Sequence, residues 1–220
     1  MRRFDSYAKI QHAIGVLRRN RAFQLTPAIL ARSYIDIGCG NNFHPGFIHL
    51  DYSWKPHVDV CWDINRGLPF AAGSLRGVFS EHCLEHFSLA RVRPILREFR
   101  RILAPNGTLR LIVPDAEIYL RTYIDQIDGS GTRHFPYQAQ EANVPGWTPL
   151  SSVNRVFYQD RESPAGHCTM FDFRLMQGLL AEAGFVDVRQ HVIGQGRDAQ
   201  LIVDSPNHAV ESLYVEAVVP

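Results

Sequence analysis

The chain contains the run Ser33-Tyr34-Ile35-Asp36-Ile37-Gly38-Cys39-Gly40-Asn41-Asn42, and the pair Leu50-Asp51 follows it. This pattern predicts a short buried strand, a sharp glycine turn, and a second strand that ends on Asp51. Gly38 and Gly40 lack a Cβ, so the backbone can bend there and approach a ligand closely. In open α/β sheets, ligands bind outside the carboxyl ends of the strands, where the strand order reverses. The run therefore predicts a nucleoside-bearing cofactor whose ribose hydroxyls donate to Asp51.

The spacing of the glycines indicates which nucleoside cofactor binds. A nicotinamide dinucleotide needs G-x-G-x-x-G at the start of a helix, whose amides hold the pyrophosphate. Counting from Gly38 gives Gly40 and then Phe43, so the third glycine is missing. The residues after Asn42 are typical of a turn rather than a helix. A site without a helix end for phosphates suits S-adenosylmethionine, which has none, and Asp36 is expected to help hold its cationic methionyl end.

Two further predicted strands bring acids to the same edge of the sheet. The third strand starts near Val58 and leads to Asp63, which is expected to accept from the adenine amino group while the Ile64 amide donates to the ring. Residues 78–80 are predicted as a fourth strand, and Glu81 follows it. The predicted cofactor contacts are Asp36, Gly38, Cys39, Gly40, Asn41, Asp51, Tyr52, Asp63, Ile64, Ser80 and Glu81.

Together these motifs resemble the class I S-adenosylmethionine-dependent methyltransferases, and more narrowly their small type-11-like group. The matching motifs are I-G-C-G-x-x-x-x-P-G-x-x-x-x-D from Ile37, P-F-x-x-x-S from Pro69, H-x-L-E-H from His82, R-x-L-x-P-x-G from Arg101, and the run from Phe171-Asp172 to Ala183-Gly184-Phe185. The resemblance implies a single methyltransferase domain over residues 1–220. It also implies an α/β fold, a Rossmann-like doubly wound seven-stranded sheet that is mostly parallel with an antiparallel C-terminal hairpin.

Two regions outside these motifs are predicted to cover the site. Apolar residues recur at helical spacing over residues 4–19, and residues 1–31 are expected to form N-terminal capping helices over the cofactor cleft. A transit peptide or an anionic-surface anchor is the alternative. Residues 126–168 are rich in glycine, proline and aromatic residues, which favours a substrate lid inserted in the domain. Asn154 and Tyr158 are its predicted substrate contacts; a packed surface excursion or an oligomer contact is the alternative.

Length and composition argue against several classes of protein. A chain of 220 residues suits one α/β domain with a substantial core. The formal net charge of +1 does not favour nucleic-acid binding, and no apolar run approaches the roughly 18 residues that span a bilayer. The four cysteines show no C-x-x-C spacing, so we expect reduced thiols in a cytoplasmic protein. The sequence leaves open whether the protein forms a homodimer.

Three residues at the acceptor side of the predicted sheet are candidates for catalysis. His82 follows the fourth strand and His167 ends the predicted lid, and an imidazole can take a proton from an acceptor hydroxyl near neutral pH. Asp115 follows the fifth strand and is a candidate to accept a proton or bind substrate, with a turn cap as the alternative. Residues 82–86 also match H-x-x-E-H, a zinc-protease pattern. Because the cofactor motifs account for this position, no metal is predicted.

The sequence thus predicts an enzyme that transfers a methyl group from S-adenosylmethionine and leaves S-adenosylhomocysteine. The histidines favour a hydroxyl acceptor, and the family resemblance implies a small molecule or sugar in glycan or secondary-metabolite biosynthesis. Three alternatives stay open. They are a non-catalytic cofactor-binding or regulatory domain, a nicotinamide oxidoreductase and an RNA methyltransferase.

Overall fold

A computed structural model of the protein describes residues 6–19, 25–157 and 166–220. Seven strands within these residues form one sheet. The strands are β1 (Tyr34–Ile37), β2 (Phe47–Asp51), β3 (Val60–Cys61), β4 (Leu75–Glu81), β5 (Leu103–Pro114), β6 (Val186–His191) and β7 (Ser212–Val218). The α-helices are α1 (Ser6–Arg19), α2 (Pro27–Leu30), α3 (Leu89–Ile102), α4 (Ala116–Asp128), α5 (Gln138–Glu141), α6 (Pro149–Phe157) and α7 (Phe173–Glu182). Short 3-10 turns cover Ile64–Arg66, Leu84–His86, Ala199–Leu201 and Pro206–His208.

The strands are arranged in the order β3-β2-β1-β4-β5-β7-β6. Strands β1 to β5 pair in parallel, whereas β7 runs antiparallel to both β5 and β6. The order reverses between β1 and β4, so the carboxyl ends of these two strands mark the place where such sheets bind ligands. The predicted seven-stranded, mostly parallel sheet with an antiparallel C-terminal pair is confirmed.

The central strands are buried, as a parallel sheet covered by helices requires. Ile35 and Ile37 of β1, Ile48 of β2 and Val78 of β4 all have exposed fractions of 0%. Phe99 of α3 belongs to the same continuous apolar core. Full burial of one such side chain contributes roughly 1.5–3 kcal/mol relative to exposure. The apolar strands therefore hold the carboxyl ends of β1, β2 and β4 in fixed positions.

Helix α7 has a capping interaction at each end. The Asp172 carboxylate accepts from the Leu175 amide at 2.8 Å, which is an N-cap bond. At the other end, the Phe185 amide donates to the Leu180 carbonyl at 3.0 Å, and Gly184 has a φ of +90°. This is a Schellman ending, which the Gly-Phe pair favours.

Strand β5 contains an irregularity near its start. Leu75 of β4 pairs with Leu103. The register then shifts, so that Gly77 pairs with Thr108. The residues between form a bulge, in which Asn106 takes the left-handed φ of +63°.

Helix α3 starts at Leu89 after the N-cap Ser88, and Pro94 lies inside it. Proline has no backbone N–H, so the helix lacks one internal hydrogen bond at that position. None of the described helices is long and apolar enough to cross a bilayer.

Helix α1 lies beside the edge of the sheet. The His12 ring stacks on the Tyr52 ring with centroids 4.1 Å apart, and His12 Nδ1 lies 2.9 Å from the Tyr52 carbonyl oxygen. Ile10 and Leu17 of the predicted apolar stripe are 56% and 64% exposed. Part of residues 1–31 lies outside the described residues, and the capping role of this region stays a prediction.

The predicted lid, residues 126–168, contains helices rather than one long loop. Its first residues complete α4, and α5 and α6 follow within it. Phe135 and Val156 pack with Tyr119 of α4 in a small apolar cluster distinct from the main core. The segment is therefore anchored on α4, and its function as a lid stays a prediction.

A buried ion cluster holds the connector between β6 and β7 on the sheet. Arg110 of β5 has an exposed fraction of 0%, and its guanidinium donates to both carboxylate oxygens of Asp204, at 2.7 and 2.6 Å. It also donates to Glu216 of β7 and to the Gln195 carbonyl, each at 2.9 Å. The planar guanidinium suits such forked bonding. The cluster thereby fixes the path of the connector over β5 and β7.

Candidate active site

A cavity of about 360 Å³ opens at the carboxyl ends of β1, β2 and β4. Its volume lies in the range of roughly 300–1,000 Å³ that is usual for small-ligand sites. It occupies the point where the strand order reverses. The predicted cofactor residues that line it are Gly38, Gly40, Asp51, Tyr52, Asp63 and Ile64.

The glycine turn between β1 and β2 forms one wall of the cavity. Gly38 and Gly40 have φ values of +78° and +57°, which favour glycine at both positions. A Cβ at Gly38 would lie 2.6 Å from Cys83 Sγ, so that position has no room for a side chain. The Gly38 amide donates to the Leu50 carbonyl at 2.8 Å. The turn is therefore fixed to the end of β2.

The Asp51 carboxylate is oriented by two backbone amides. Its Oδ2 accepts from the Gly40 amide at 3.0 Å, and its Oδ1 accepts from the Ser53 amide at 2.7 Å. A carboxylate has about four lone-pair sites, so each oxygen can accept one further bond. Asp51 can therefore take two vicinal ribose hydroxyls without losing the bonds that orient it.

Asp63 lies across the cavity from the glycine turn and caps the 3-10 turn after β3. Its Oδ1 accepts from the Asn65 amide at 3.0 Å and from the Asn65 side-chain nitrogen at 2.9 Å. Ile64 lies next to it in the cavity wall and is 8% exposed. The pair offers a carboxylate and an apolar surface side by side, which fits the edge and face of an adenine.

Asp36 lies behind the glycine turn rather than in the cavity wall. It is 1% exposed, and its Oδ2 lies 3.6 Å from His44 Nε2. Burial raises the pKa of Asp36 well above its usual range, and the charges of Glu81 and Asp51 act in the same direction. Of the three acids expected to converge on the cofactor, Asp51 and Asp63 line the cavity, whereas Asp36 does not.

Four other predicted cofactor residues also lie outside the cavity wall. The Ser80 hydroxyl donates to the Ile37 carbonyl at 2.8 Å, inside the sheet. Glu81 accepts from the Ser205 amide at 3.0 Å, so it holds the connector before β7. Cys39 is 2% exposed, and Asn41 points to solvent. A strand places successive side chains on opposite faces, so a residue at the right strand end can still face away from the ligand.

His82 lines the cavity. Its φ of +45° is left-handed, and its Nε2 lies 2.8 Å from Ser212 Oγ. The ring lies against the His208 ring, with centroids 4.1 Å apart. Burial lowers the pKa of His82 to about 3, and His208 acts in the same direction. His82 is therefore neutral at physiological pH.

The Glu85 carboxylate lies close to three histidine rings. Its Oε1 lies 3.5 Å from His82 Nδ1, 3.9 Å from His86 Nε2 and 4.0 Å from His167 Nε2. The Glu85 side chain is nearly completely buried, at 1% exposed. Its backbone carbonyl accepts from the Cys168 amide at 2.6 Å, which fastens the end of the predicted lid to the turn after β4.

The structure brings His167 to this cluster, as the sequence analysis expected of an acceptor-side residue. Its Nδ1 contacts the Val156 carbonyl oxygen, and its ring meets the His86 ring edge-on at 4.9 Å. Burial lowers the pKa of His167. The predicted contact Asn154 is exposed, and Tyr158 lies outside the described residues.

Asp115 has a structural use in this arrangement. Its Oδ1 accepts from the Glu117 amide at 2.9 Å, so it caps α4, which was the alternative to a catalytic role. Burial raises the pKa of Asp115. Its amide donates to the Glu211 carbonyl at 2.8 Å, which places it next to the acceptor-side cluster. A catalytic role for Asp115 stays a prediction.

Two residues of the acceptor side were missed by the sequence analysis. His208 and Glu211 come from the connector before β7, and His208 Nδ1 lies 3.0 Å from Glu211 Oε1. Glu211 also accepts from the Tyr119 hydroxyl at 2.8 Å. Their only signal in the sequence is a His and a Glu three residues apart in a segment otherwise typical of a loop. Only the fold brings them to His82.

Within the part of the chain that the structure describes, two groups of side chains have the composition of metal sites. His82, His208 and Glu211 form one, and Glu85, His86 and His167 form the other. In each group the possible ligand atoms lie within 4.8 Å of one another. The sequence analysis predicted no metal because the cofactor motifs account for residues 82–86, and that prediction stays untested.

Comparison with known proteins agrees with this geometry. Residues 39–111 match the family model described as a methyltransferase domain, Methyltransf_11. No curated protein sequence matches the chain. A SAM-dependent methyltransferase from Archaeoglobus fulgidus has a similar structure, with a TM-score of 0.51, 14% identity, and coverage of 96% of this chain and 94% of that one. One from Thermotoga maritima gives a TM-score of 0.50 at 14% identity, with coverage of 97% and 92%.

The sheet order is that of the class I methyltransferase fold, and residues 39–111 match a methyltransferase domain, which makes the protein an S-adenosylmethionine-dependent methyltransferase. More narrowly, it carries the Methyltransf_11 methyltransferase domain. S-adenosylmethionine is the cofactor, as the sequence analysis predicted, and the cavity residues fit its nucleoside. The interpretations as a nicotinamide oxidoreductase and as a non-catalytic domain are therefore set aside.

Proposed function

We propose that the protein methylates a hydroxyl group of a small molecule or sugar, as in glycan or secondary-metabolite biosynthesis. The observation that carries this proposal is the group of four imidazoles at the acceptor edge of the cofactor cavity. The group consists of His82, His86, His167 and His208. A neutral hydroxyl must lose its proton when it is methylated, whereas an amine needs less help. A site rich in proton-accepting nitrogens therefore suits a hydroxyl acceptor.

On the cofactor side, we propose that Asp51 accepts the two ribose hydroxyls and that Asp63 and Ile64 hold the adenine. The turn at Gly38 and Gly40 then lies against the methionyl part. S-adenosylmethionine supplies an activated methyl group. The protein contributes orientation, because holding the acceptor oxygen in line with the methyl group at about 3 Å supplies several kcal/mol by itself.

On the acceptor side, His167 is the proposed proton acceptor. His82, whose pKa of about 3 makes it a weak base, is proposed to orient the acceptor. His82 lines the cavity, and its Nδ1 faces Glu85. His167 belongs to the predicted lid, so it can contact an acceptor that enters beneath that segment. Glu85 lies within 4.0 Å of a nitrogen of both rings, which places a carboxylate where it would stabilise an imidazolium after proton transfer.

The test is release of S-adenosylhomocysteine with matched acceptors. Sugars and phenols would be compared with amines of the same carbon skeleton. The proposal expects turnover with at least one hydroxyl compound and slower turnover with its amine. Turnover restricted to amines would contradict O-methylation, and His134→Ala, which changes an exposed histidine of the 126–168 segment, serves as the control protein.

A further inference from the structure

Helix α4 presents a stripe of large aliphatic side chains to solvent. Leu120, Ile124 and Ile127 are 45%, 50% and 53% exposed. Their spacing places all three on one face of the helix. The opposite face is buried, and Tyr119 on that face packs with Phe135 of the segment predicted to be the lid. Isolated exposed aliphatic residues are ordinary, whereas a continuous stripe indicates a surface that binds a partner.

Charged side chains line one flank of this stripe. Helical spacing places Glu117, Arg121 and Asp128 on the same side of it, and all three residues are exposed. Arg121 Nε lies 2.6 Å from Glu117 Oε1. Among the residues that the structure describes, no ion pair involves Asp128. The flank therefore has a cation near the start of the stripe and an acid without an ion-pair partner at its end.

The stripe and its flank are complementary to a second copy of themselves. If two α4 helices pack antiparallel about a two-fold axis beside Ile124, each Ile124 meets its own counterpart, and Leu120 meets Ile127 of the partner subunit. The same axis brings the charged flanks together with their directions reversed. Arg121 then lies opposite Asp128 of the partner subunit, and the symmetry repeats this pair. Each copy thus supplies the cation that the acid at the end of the other stripe lacks.

We propose that a second copy of this chain covers the stripe, so that the protein forms a two-fold symmetric dimer through antiparallel α4 helices. An anionic lipid surface suits the stripe less well, because α4 contains several acids and the single cation Arg121. Interfaces of standard size bury about 800 Å² on each partner, and a stripe of three aliphatic residues is smaller. The dimer is therefore expected to be weak, with a Kd of about 10–100 μM.

Pairing through the stripe is compatible with the rest of the fold. The cluster of Tyr119, Phe135 and Val156 lies on the other face of α4. No wall residue of the cofactor cavity belongs to α4. Two copies can therefore meet without displacing the anchor of the predicted lid or the cofactor. Dimerisation needs neither cofactor nor acceptor, so it is independent of the proposed function.

The first experiment is sedimentation equilibrium of the full chain between about 5 and about 500 μM, a range that brackets the expected Kd. The mass of the wild-type protein should rise from 25.0 kDa toward twice that value. Ile124→Glu places two carboxylates against each other at the two-fold axis and should weaken dimerisation by at least about 100-fold. Ile10→Glu is the matched control, because it makes the same change at an isoleucine of α1 that is 56% exposed. This control should dimerise like the wild type.

A second experiment tests the antiparallel arrangement through charge. Arg121→Asp places two acids opposite each other at both ends of the contact, and Asp128→Arg places two cations there. Each variant alone should dimerise at least about 10-fold more weakly than the wild type. In an equimolar mixture, each position 121 faces a position 128 of opposite charge. The mixture should therefore dimerise with an affinity close to that of the wild type.

Three results would overturn the proposal. The first is a wild-type mass of 25.0 kDa at every concentration. The second is an equal effect of Ile124→Glu and Ile10→Glu, because the contact would then not depend on the α4 stripe. The third is an equimolar mixture that dimerises no better than its two components. All the substituted residues are exposed, circular dichroism checks the fold of each variant, and Ile124→Ser provides a second variant without a new charge.

Discussion

The cofactor half and the acceptor half of the site are built from different kinds of contact. In the cofactor half, the Gly40–Asp51 bond spans 11 residues, and Asp51 and Ser53 are 2 residues apart. In the acceptor half, His82 and Ser212 are 130 residues apart, and His86 and Gly166 are 80 apart. One half is therefore a local structure, whereas the other depends on the whole fold. Substitutions in the cofactor half should therefore change cofactor affinity, and substitutions in the acceptor half should change turnover.

The largest effect is expected for the ion cluster that holds the connector of the acceptor half. Arg110→Met leaves Asp204 and Glu216 as buried carboxylates without their guanidinium, which costs about 3–5 kcal/mol of the free energy of unfolding. The measurement is urea denaturation. Arg97→Met is the matched control, because its ion pair with Glu182 is exposed to solvent and contributes little to stability. Equal stability of the two variants would show that the connector does not depend on Arg110.

The second effect concerns the cofactor half alone. Asp51→Ala removes the proposed acceptor of two ribose hydroxyls, and each bond to a charged group is worth about 1.5–3 kcal/mol. Affinity for S-adenosylhomocysteine should therefore fall by more than about 100-fold, measured by calorimetry.

Asp115→Ala is the matched control in the acceptor half. It removes the N-cap of α4 and should cost about 1 kcal/mol of stability. It should leave cofactor affinity unchanged, because the residue does not line the cofactor cavity. Wild-type affinity in Asp51→Ala would show that the ribose binds elsewhere.

The same contrast explains what the sequence could predict. The glycine turn, Asp51 and the two ends of α7 follow from short patterns, because each depends on neighbours a few residues away. Asp172 and Gly184 mark the two ends of α7, and both residue types are typical of those positions. Interactions between residues close in the sequence determine these features, so a single sequence is sufficient to predict them.

Long-range partners could not be predicted in this way. Arg110 lies between two leucines of β5, and its partners Asp204 and Glu216 are 94 and 106 residues away. Ser80 was expected at the cofactor because it ends a strand, yet its hydroxyl donates within the sheet. The face on which a strand residue lies depends on register, and register depends on tertiary packing. For the same reason, no local pattern identified His208 as a neighbour of His82.

The third effect concerns the acceptor half alone. His167→Ala should lower turnover by about 100-fold, as expected for loss of a proton-accepting group, with unchanged affinity for the cofactor. Steady-state rates and calorimetry on the same protein separate the two quantities. His134→Ala should keep wild-type turnover. A loss of cofactor affinity as large as the loss of turnover in His167→Ala would contradict the separation between the cofactor half and the acceptor half.

The smallest expected effect concerns Asp36, the buried carboxylate behind the glycine turn. Burial and the charges of Glu81 and Asp51 raise the pKa of Asp36, so the folded state favours the protonated form. His44 is the nearest cationic candidate, but burial lowers its pKa and leaves it neutral near pH 7. Asp36 ionises near pH 4 in the unfolded state but stays protonated in the folded state. The free energy of unfolding therefore falls as pH rises from about 4 toward the raised pKa.

Asp36→Asn keeps the shape of the protonated side chain and cannot ionise. The variant should be more stable than wild type at pH 8 by roughly 1 kcal/mol, the scale of an ordinary single substitution, and the difference should vanish near pH 4. Thermal unfolding of the cofactor-free protein across this range measures it. A variant that is less stable than wild type at pH 8 would mean that the Asp36 charge supports the turn. In that case the cofactor half would depend on electrostatic pairing as much as the acceptor half does.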